Sequence, residues 1–178
     1  QGGVLPVLKH IPGHGRATAD SHFRLPTVDA PREELERTDF AAFQPLADLP
    51  MAMTAHVVFS ALDPAQPATT SATIIRQVIR GQIGFQGLLM SDDVSMNALA
   101  GSIAERTRAI VNAGCDMILH CNGKLDEMRD VARETPELTG EALQRAIRAL
   151  TSRKPPEPLD WQAARAELDA LLDRIGTA

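Results

Sequence analysis

Apolar and polar residues follow a repeating pattern along the chain: a short apolar run, a polar loop, then an amphipathic stretch at helical spacing. Residues 4–10 form the first apolar run, which ends in Lys9 and His10 and meets a loop rich in glycine and histidine. Asp29 then opens a predicted helix, with Pro31 in its first turn and Glu33 placed as a capping-box acid. Leu35, Phe40, Phe43 and Leu46 give that helix one apolar side. Residues 51–59 form the second run, interrupted by Thr54 and His56. Thr69 or Thr70 is expected to cap the next helix, whose apolar face holds Ile74, Ile75, Val78, Ile79 and Ile83 before Gly84 ends it. The third run, 87–90, leads straight into Ser91, Asp92 and Asp93. A helix over 103–113 is closed by Gly114, where a left-handed residue favours glycine. Residues 117–119 make the fourth run and 125–133 its helix. Helices over 141–150, capped by Thr139, and over 161–175, beyond a proline-containing linker at 155–158, complete the chain.

Strands of this kind, alternating with amphipathic helices, imply an α/β fold with a parallel sheet buried on both faces. An open doubly wound sheet or a (β/α)8 barrel would satisfy the pattern. Polar residues stand at the C-terminal ends of all four strands: Lys9 and His10, His56, Asp92 and Asp93, and His120. That is the rim on which barrel chemistry occurs. An open sheet places its ligand at a switch point, usually beside a glycine-rich phosphate loop, and the sequence has no such fingerprint. A barrel takes about 250 residues, so four βα units amount to half of one. The first residue is Gln1 rather than Met, in keeping with a piece of a longer protein.

Composition narrows the partners. Apolar residues make up 44% and charged residues 23%, as in an ordinary globular protein. A net charge of −5, without basic clusters, argues against a nucleic-acid surface. No stretch reaches the roughly 20 apolar residues that span a bilayer, and the N-terminus lacks the basic and apolar regions of a signal peptide. A cytoplasmic location is expected. Cys115 and Cys121, six residues apart, are too few for a disulfide framework and are not spaced as a zinc site. They read as two buried thiols in a reducing compartment.

Two segments carry candidate chemistry. A carboxylate directly after a buried strand is held by rigid backbone at the barrel mouth, which suits a nucleophile attacking an anomeric carbon. Asp92 occupies that position, but such a residue can equally cap the following helix. With Asp93 adjacent, one acid can orient the turn while the other reacts. In the loop after the first strand, Asp20 and His22 are two residues apart and able to meet. A carboxylate bonded to an imidazole fixes its tautomer and favours the proton-donating form that a general acid needs. Spacing alone leaves open a solvated loop histidine beside an aspartate. His10, His14, His22, His56 and His120 also admit a metal-dependent barrel hydrolase, although no His-x-His pair is present and Pro12 and Gly13 oppose a helical His10/His14 pair.

Lys9-His10-Ile11-Pro12-Gly13-His14-Gly15, then Asp20-Ser21-His22, then Ser91-Asp92-Asp93-Val94-Ser95-Met96 resemble segments of the family 3 glycoside hydrolases, in the bacterial β-N-acetylhexosaminidase branch. Residues 113–119 resemble that branch's last barrel strand, and the likeness runs in order to about residue 150. Ile11 stands where phenylalanine is usual, a bland apolar exchange. The resemblance implies a (β/α)8 TIM barrel of which residues 1–178 are the C-terminal half, with 155–178 a helical extension and the N-terminal half absent. It implies a retaining β-N-acetylglucosaminidase acting on muropeptide or chitooligosaccharide substrates in peptidoglycan recycling, with no cofactor and no metal. Asp92 then matches the nucleophile, His22 and Asp20 the acid/base pair, and Lys9 and His10 positions that contact the sugar. A phosphorylase on the same fold and a non-catalytic sugar-binding half are the alternatives. A half-barrel alone leaves a sheet edge and apolar interior open and is expected to be inactive without its missing half as partner.

Overall fold

Four parallel strands form the main sheet in the computed structural model, which describes residues 2–21 and 23–175. They are β1 (Val7–Ile11), β3 (Met51–Thr54), β6 (Leu88–Asp93) and β7 (Met117–Leu119), in the order β1-β3-β6-β7. Sequence order and spatial order coincide, and every pairing is parallel, which leaves β1 and β7 as edges. This partial α/β barrel matches the expected fold class.

The second apolar run does not continue to residue 59 as one strand. After Thr54 the chain leaves the main sheet, and β4 (Val58–Phe59) joins a smaller sheet between β2 (Thr27–Val28) and β5 (Asp63–Pro67). The intervening residues Ala55, His56 and Val57 are completely buried. They turn inward at the rim, so an alternating pattern could not mark the end of the strand.

The helices follow the expected apolar stripes but differ in hydrogen bonding. The segment after Pro31 runs through α1 (Arg32–Leu35), a π-turn (Glu36–Phe40), α2 (Ala41–Phe43) and a 3-10 turn (Gln44–Leu46). Asp29 does not cap it; its carboxylate accepts from the Ser60 hydroxyl. The next helix is a π-helix over Ile74–Gln82. Ser71 rather than a threonine caps it, its Oγ accepting from the Ile74 N–H at 3.1 Å. Thr69 is buried and faces the core instead. α3 (Ile103–Ala113) opens with a capping box between Ser102 and Glu105 and closes on Gly114 at φ 104°, the left-handed terminus expected. α4 (Leu125–Glu134) and α5 (Gly140–Thr151) follow, with Thr139 preceding α5 but making no side-chain cap bond.

The described residues of 5–152 form one compact unit, and those of 1–4 and 153–178 a second. The described part of the second unit contains α6 (Trp161–Ile175), where Asp160 Oδ1 accepts from the N–H groups of Gln162 and Ala163. Among the described residues no helix is long and apolar enough to cross a membrane. Cys115 is buried, and burial pushes its thiol up to about 12, but Cys121 is exposed, contrary to the expected pair of buried thiols.

The core of the larger unit lies between the sheet and its helices, with Leu35, Phe40, Phe59, Ile74, Ile79, Phe85, Leu89 and Ile110 all essentially inaccessible. At the end of the strands opposite the rim, Asp116 fastens these layers. Its Oδ2 accepts from Arg80 Nη2 at 2.8 Å and Leu89 N–H at 2.9 Å, and its Oδ1 from Arg145 Nη1 at 2.9 Å. Arg80 also donates to the carbonyls of Phe85 and Gly87. Gly87 is sterically required there, since a Cβ would lie 2.7 Å from the carbonyl oxygens of Leu49 and Pro50. With the Asp116 side chain only 4% exposed, its removal deprives two largely buried guanidinium groups of their shared carboxylate. Asp116→Ala is expected to cost about 3 kcal/mol or more in urea unfolding of the chain. A loss below about 1 kcal/mol, typical of exposed pairs, would contradict this structural role.

Candidate active site

Each strand of the main sheet delivers its polar residues to the same rim, because parallel strands all end there. At two places in the main sheet the strand register is irregular: between Lys9 and Ile11 on β1, and between Met90 and Asp93 on β6. His10 and Asp92 stand inside these irregularities. They reach toward each other past the end of β3, bringing His10 Nε2 within 3.5 Å of Asp92 Oδ2. Their side chains are 29% and 14% exposed, so the pair is partly desolvated and still open to the mouth. The peptides Lys9–His10 and Ile11–Pro12 are cis.

The two neighbouring aspartates are used differently. Asp93 Oδ1 accepts from the N–H groups of Ser95 and Cys121, and Oδ2 accepts from the Ser95 hydroxyl at 2.6 Å. Asp93 thereby ties the turn after β6 to the end of β7. Asp92 Oδ1 accepts from the Asp93 N–H at 2.8 Å, while Oδ2 faces His10. Ser91, fully buried, accepts the Leu119 N–H on its Oγ, locking the last residues of β6 against β7.

The loop after β1 forms the other wall. Arg16 fixes it to the α1–α2 segment, contacting Asp39 at 2.7 Å, Glu34 at 2.8 Å and Thr38 at 3.1 Å. The Asp39 and Glu34 carboxylates beside it raise the Arg16 pKa, Asp39 most strongly. His14 approaches the buried Ser21 hydroxyl at 3.3 Å, and its ring lies 5.8 Å from that of His10. The Asp20 carbonyl accepts from the N–H groups of Phe23 and Arg24, which closes the turn. His22 lies outside the described residues.

Lys9, His10, His14, Gly15, Asp20, Ser21 and Asp92 together line a cavity of about 450 Å³. Four expected site residues, Lys9, His10, Asp20 and Asp92, therefore share one concave rim site. A wider cavity of about 680 Å³ lies elsewhere, along β7 and α4, and is mostly apolar. His120, on the wall of that cavity, pairs through Nε2 with Glu127 at 3.1 Å, and donors from Asn122, His120 and Lys124 hold the Glu127 carboxyl down at about 2. Among the described residues no group of three or more His, Cys, Asp or Glu is arranged to hold a metal ion. In the sequence His56 stands out only as a polar residue near a strand end and as one of five histidines. It is fully buried beneath Asp92 and Asp93, with burial lowering its pKa against the opposing pull of both acids.

Burial also lowers the His10 pKa, assisted by the nearby Lys9, His14 and His56, whereas Asp92 opposes the shift. The imidazole therefore passes to its neutral form at a pH below the ordinary 6.5. In an NMR titration His10 should titrate below 6.5, and Asp92→Asn should lower its midpoint further. An upward shift in that variant would contradict the electrostatic arrangement.

Residues 1–152 match the family model described as "Glycosyl hydrolase family 3 N terminal domain". A β-hexosaminidase of Alkalilimnicola ehrlichii is 47% identical over 67% of this chain and 35% of its own length. A β-hexosaminidase of Neisseria meningitidis is 36% identical over 100% of this chain and 52% of its own. Among solved structures, NagZ from Neisseria gonorrhoeae in complex with N-trifluoroacetyl-D-glucosamine superposes with a TM-score of 0.71 at 32% identity. That superposition covers 93% of this chain and 46% of NagZ. A family 3 β-N-acetylglucosaminidase from a Paenibacillus species gives a TM-score of 0.74 at 30% identity, covering 89% and 34%. The chain thus spans about half or less of these relatives' length. On its sequence and its fold alike, the chain belongs to glycoside hydrolase family 3.

Proposed function

We propose that this chain is the nucleophile-bearing second half of a barrel domain, extended by a helical segment over 155–178, in a retaining β-N-acetylglucosaminidase. The observation that carries the reading is the rim cavity shared by Lys9, His10, Asp20 and Asp92. The relatives named β-hexosaminidase and the glucosamine derivative in the gonococcal NagZ structure favour a terminal N-acetylglucosamine as the residue removed. Cell-wall muropeptides or chitooligosaccharides supply such an end, and we place the reaction in cytoplasmic peptidoglycan recycling.

In this mechanism an Asp92 carboxylate oxygen attacks the anomeric carbon as the glycosidic carbon–oxygen bond breaks. His22, oriented by Asp20, gives its proton to the departing oxygen. Water then attacks the same carbon, its proton passes to His22, and the bond to Asp92 breaks. Two inversions give net retention. Lys9 and His10 hold the sugar, and the engaged carboxylate of Asp93 keeps the turn fixed while Asp92 changes its bonding. The open edges of β1 and β7 call for a complementary half-barrel as partner, with four more parallel strands closing the sheet.

Product stereochemistry tests this reading in a protein that contains the chain within a complete barrel. The β anomer of N-acetylglucosamine should appear first by NMR, before mutarotation. An α product appearing first would contradict retention. Formation of sugar 1-phosphate whenever phosphate is present would instead identify a phosphorylase.

A further inference from the structure

The mechanism leaves one buried ring at the rim without a role. His56 lies where the chain turns out of β3, with no exposed surface, beside the strand that carries Asp92. Its Nε2 is 3.0 Å from the backbone carbonyl oxygen of Asp93, and its Nδ1 is 2.8 Å from Thr69 Oγ1. A carbonyl oxygen can only accept, so Nε2 must carry a proton whatever the charge of the ring. Thr69 is itself fixed, receiving the Thr54 hydroxyl at 2.9 Å and lying 2.9 Å from the Ala55 carbonyl. The ring is clamped between the element that precedes the π-helix and the turn that follows β6.

We propose that His56 is a positioning residue for the nucleophile: its Nε2–H holds the Asp93 carbonyl and thereby sets the direction of the Asp92 carboxylate. The Asp93 carbonyl also receives the Met96 N–H at 3.1 Å, while the Asp93 carboxylate receives Ser95 and Cys121. The peptide leaving Asp93 is also held at its Val94 N–H, which donates to the Leu119 carbonyl at 2.8 Å, and so is fixed at three points. Of these restraints, His56 alone comes from the segment that follows the neighbouring strand β3, the strand over whose end Asp92 meets His10. The side chain makes no contact with the cavity at Asp92, so its effect passes through the backbone. Burial, the principal cause of its lowered pKa, favours a neutral ring, in which Nδ1 accepts the single Thr69 hydroxyl proton and Nε2–H remains the fixed donor.

Two substitutions separate positioning from mere filling of space. In His56→Gln the side-chain amide can reach the Nε2 position and donate to the Asp93 carbonyl; in His56→Phe the ring volume remains without a donor. The kinetic arm rests on the glycosidase reading above and uses the chain within a complete barrel. His56→Phe should lower kcat by about tenfold to a hundredfold, the scale of a misplaced reacting group, while KM stays within about threefold. His56→Gln should restore kcat to within about threefold of wild type. Equal loss in both variants, a loss confined to KM, or no loss in His56→Phe overturns the proposal. A second arm needs no turnover: ring-15N-labelled histidine spectra of the 178-residue chain should show a slowly exchanging proton on His56 Nε2. An unprotonated Nε2 overturns the proposal even if the variants do not fold. A wild-type protein without glycosidase activity but with that protonated Nε2 would instead refute the functional reading and leave the hydrogen bond standing.

Discussion

The geometry of the rim depends on the filled hydrogen-bonding capacity of Asp93. A carboxylate at the end of a buried strand must be satisfied by donors or face the cost of desolvation. Asp93 takes both the Ser95 N–H and hydroxyl and the Cys121 N–H, so it binds the turn after β6 to the segment after β7. That turn fixes Asp92 one residue earlier, with one oxygen on the Asp93 N–H and the other facing His10. A cavity-facing carboxylate and a structural one can thus be adjacent because their partners differ. Were both exposed to the cavity, their mutual repulsion would oppose two full charges in one small volume.

Everything beneath the rim keeps that turn still. The parallel sheet is covered by helices whose buried faces are almost wholly aliphatic and aromatic. Asp116 ties β6, β7, the π-helix and α5 together at the opposite end of the sheet. Arg106 extends the same restraint above the rim, donating to the carbonyls of Val94 and Met96 at 3.1 Å each and to that of Gly101 at 3.0 Å. Precision at Asp92 therefore comes from backbone contacts distributed over several elements rather than from one neighbouring side chain. The wall formed by the β1 loop is fastened separately, through Arg16.

Much of this architecture was legible in the sequence, for identifiable reasons. Short apolar runs mark β1, β6 and β7, although Lys9 on β1 and Met117 on β7 are exposed. Gly114 marked the end of α3 because the left-handed conformation it adopts favours glycine. The two-residue strands β2 and β4 were not legible, being too short to show a period. Nor were the π-helical turns, whose apolar spacing resembles that of an α-helix. Thr69 was misread as a cap because its partners, Thr54 and His56, are distant in sequence. The gathering of Lys9, His10, Asp20 and Asp92 was anticipated from strand ends and family motifs. Spacing alone leaves the roles of Asp92 and Asp93 open to either residue, and only the family resemblance points to Asp92, since donors such as the Cys121 N–H come from another strand's end.

The account turns on which aspartate forms the covalent bond. The direct measurement is mass spectrometry of peptides from the protein, with its barrel complete, after treatment with an activated 2-deoxy-2-fluoro sugar donor, in which fluorine replaces the 2-acetamido group and slows release of the intermediate. The glycosyl adduct should reside on Asp92, should be lost in Asp92→Asn, and should still form in Asp93→Asn if that variant retains the turn. An adduct on Asp93, or on any residue other than Asp92, would contradict the assignment.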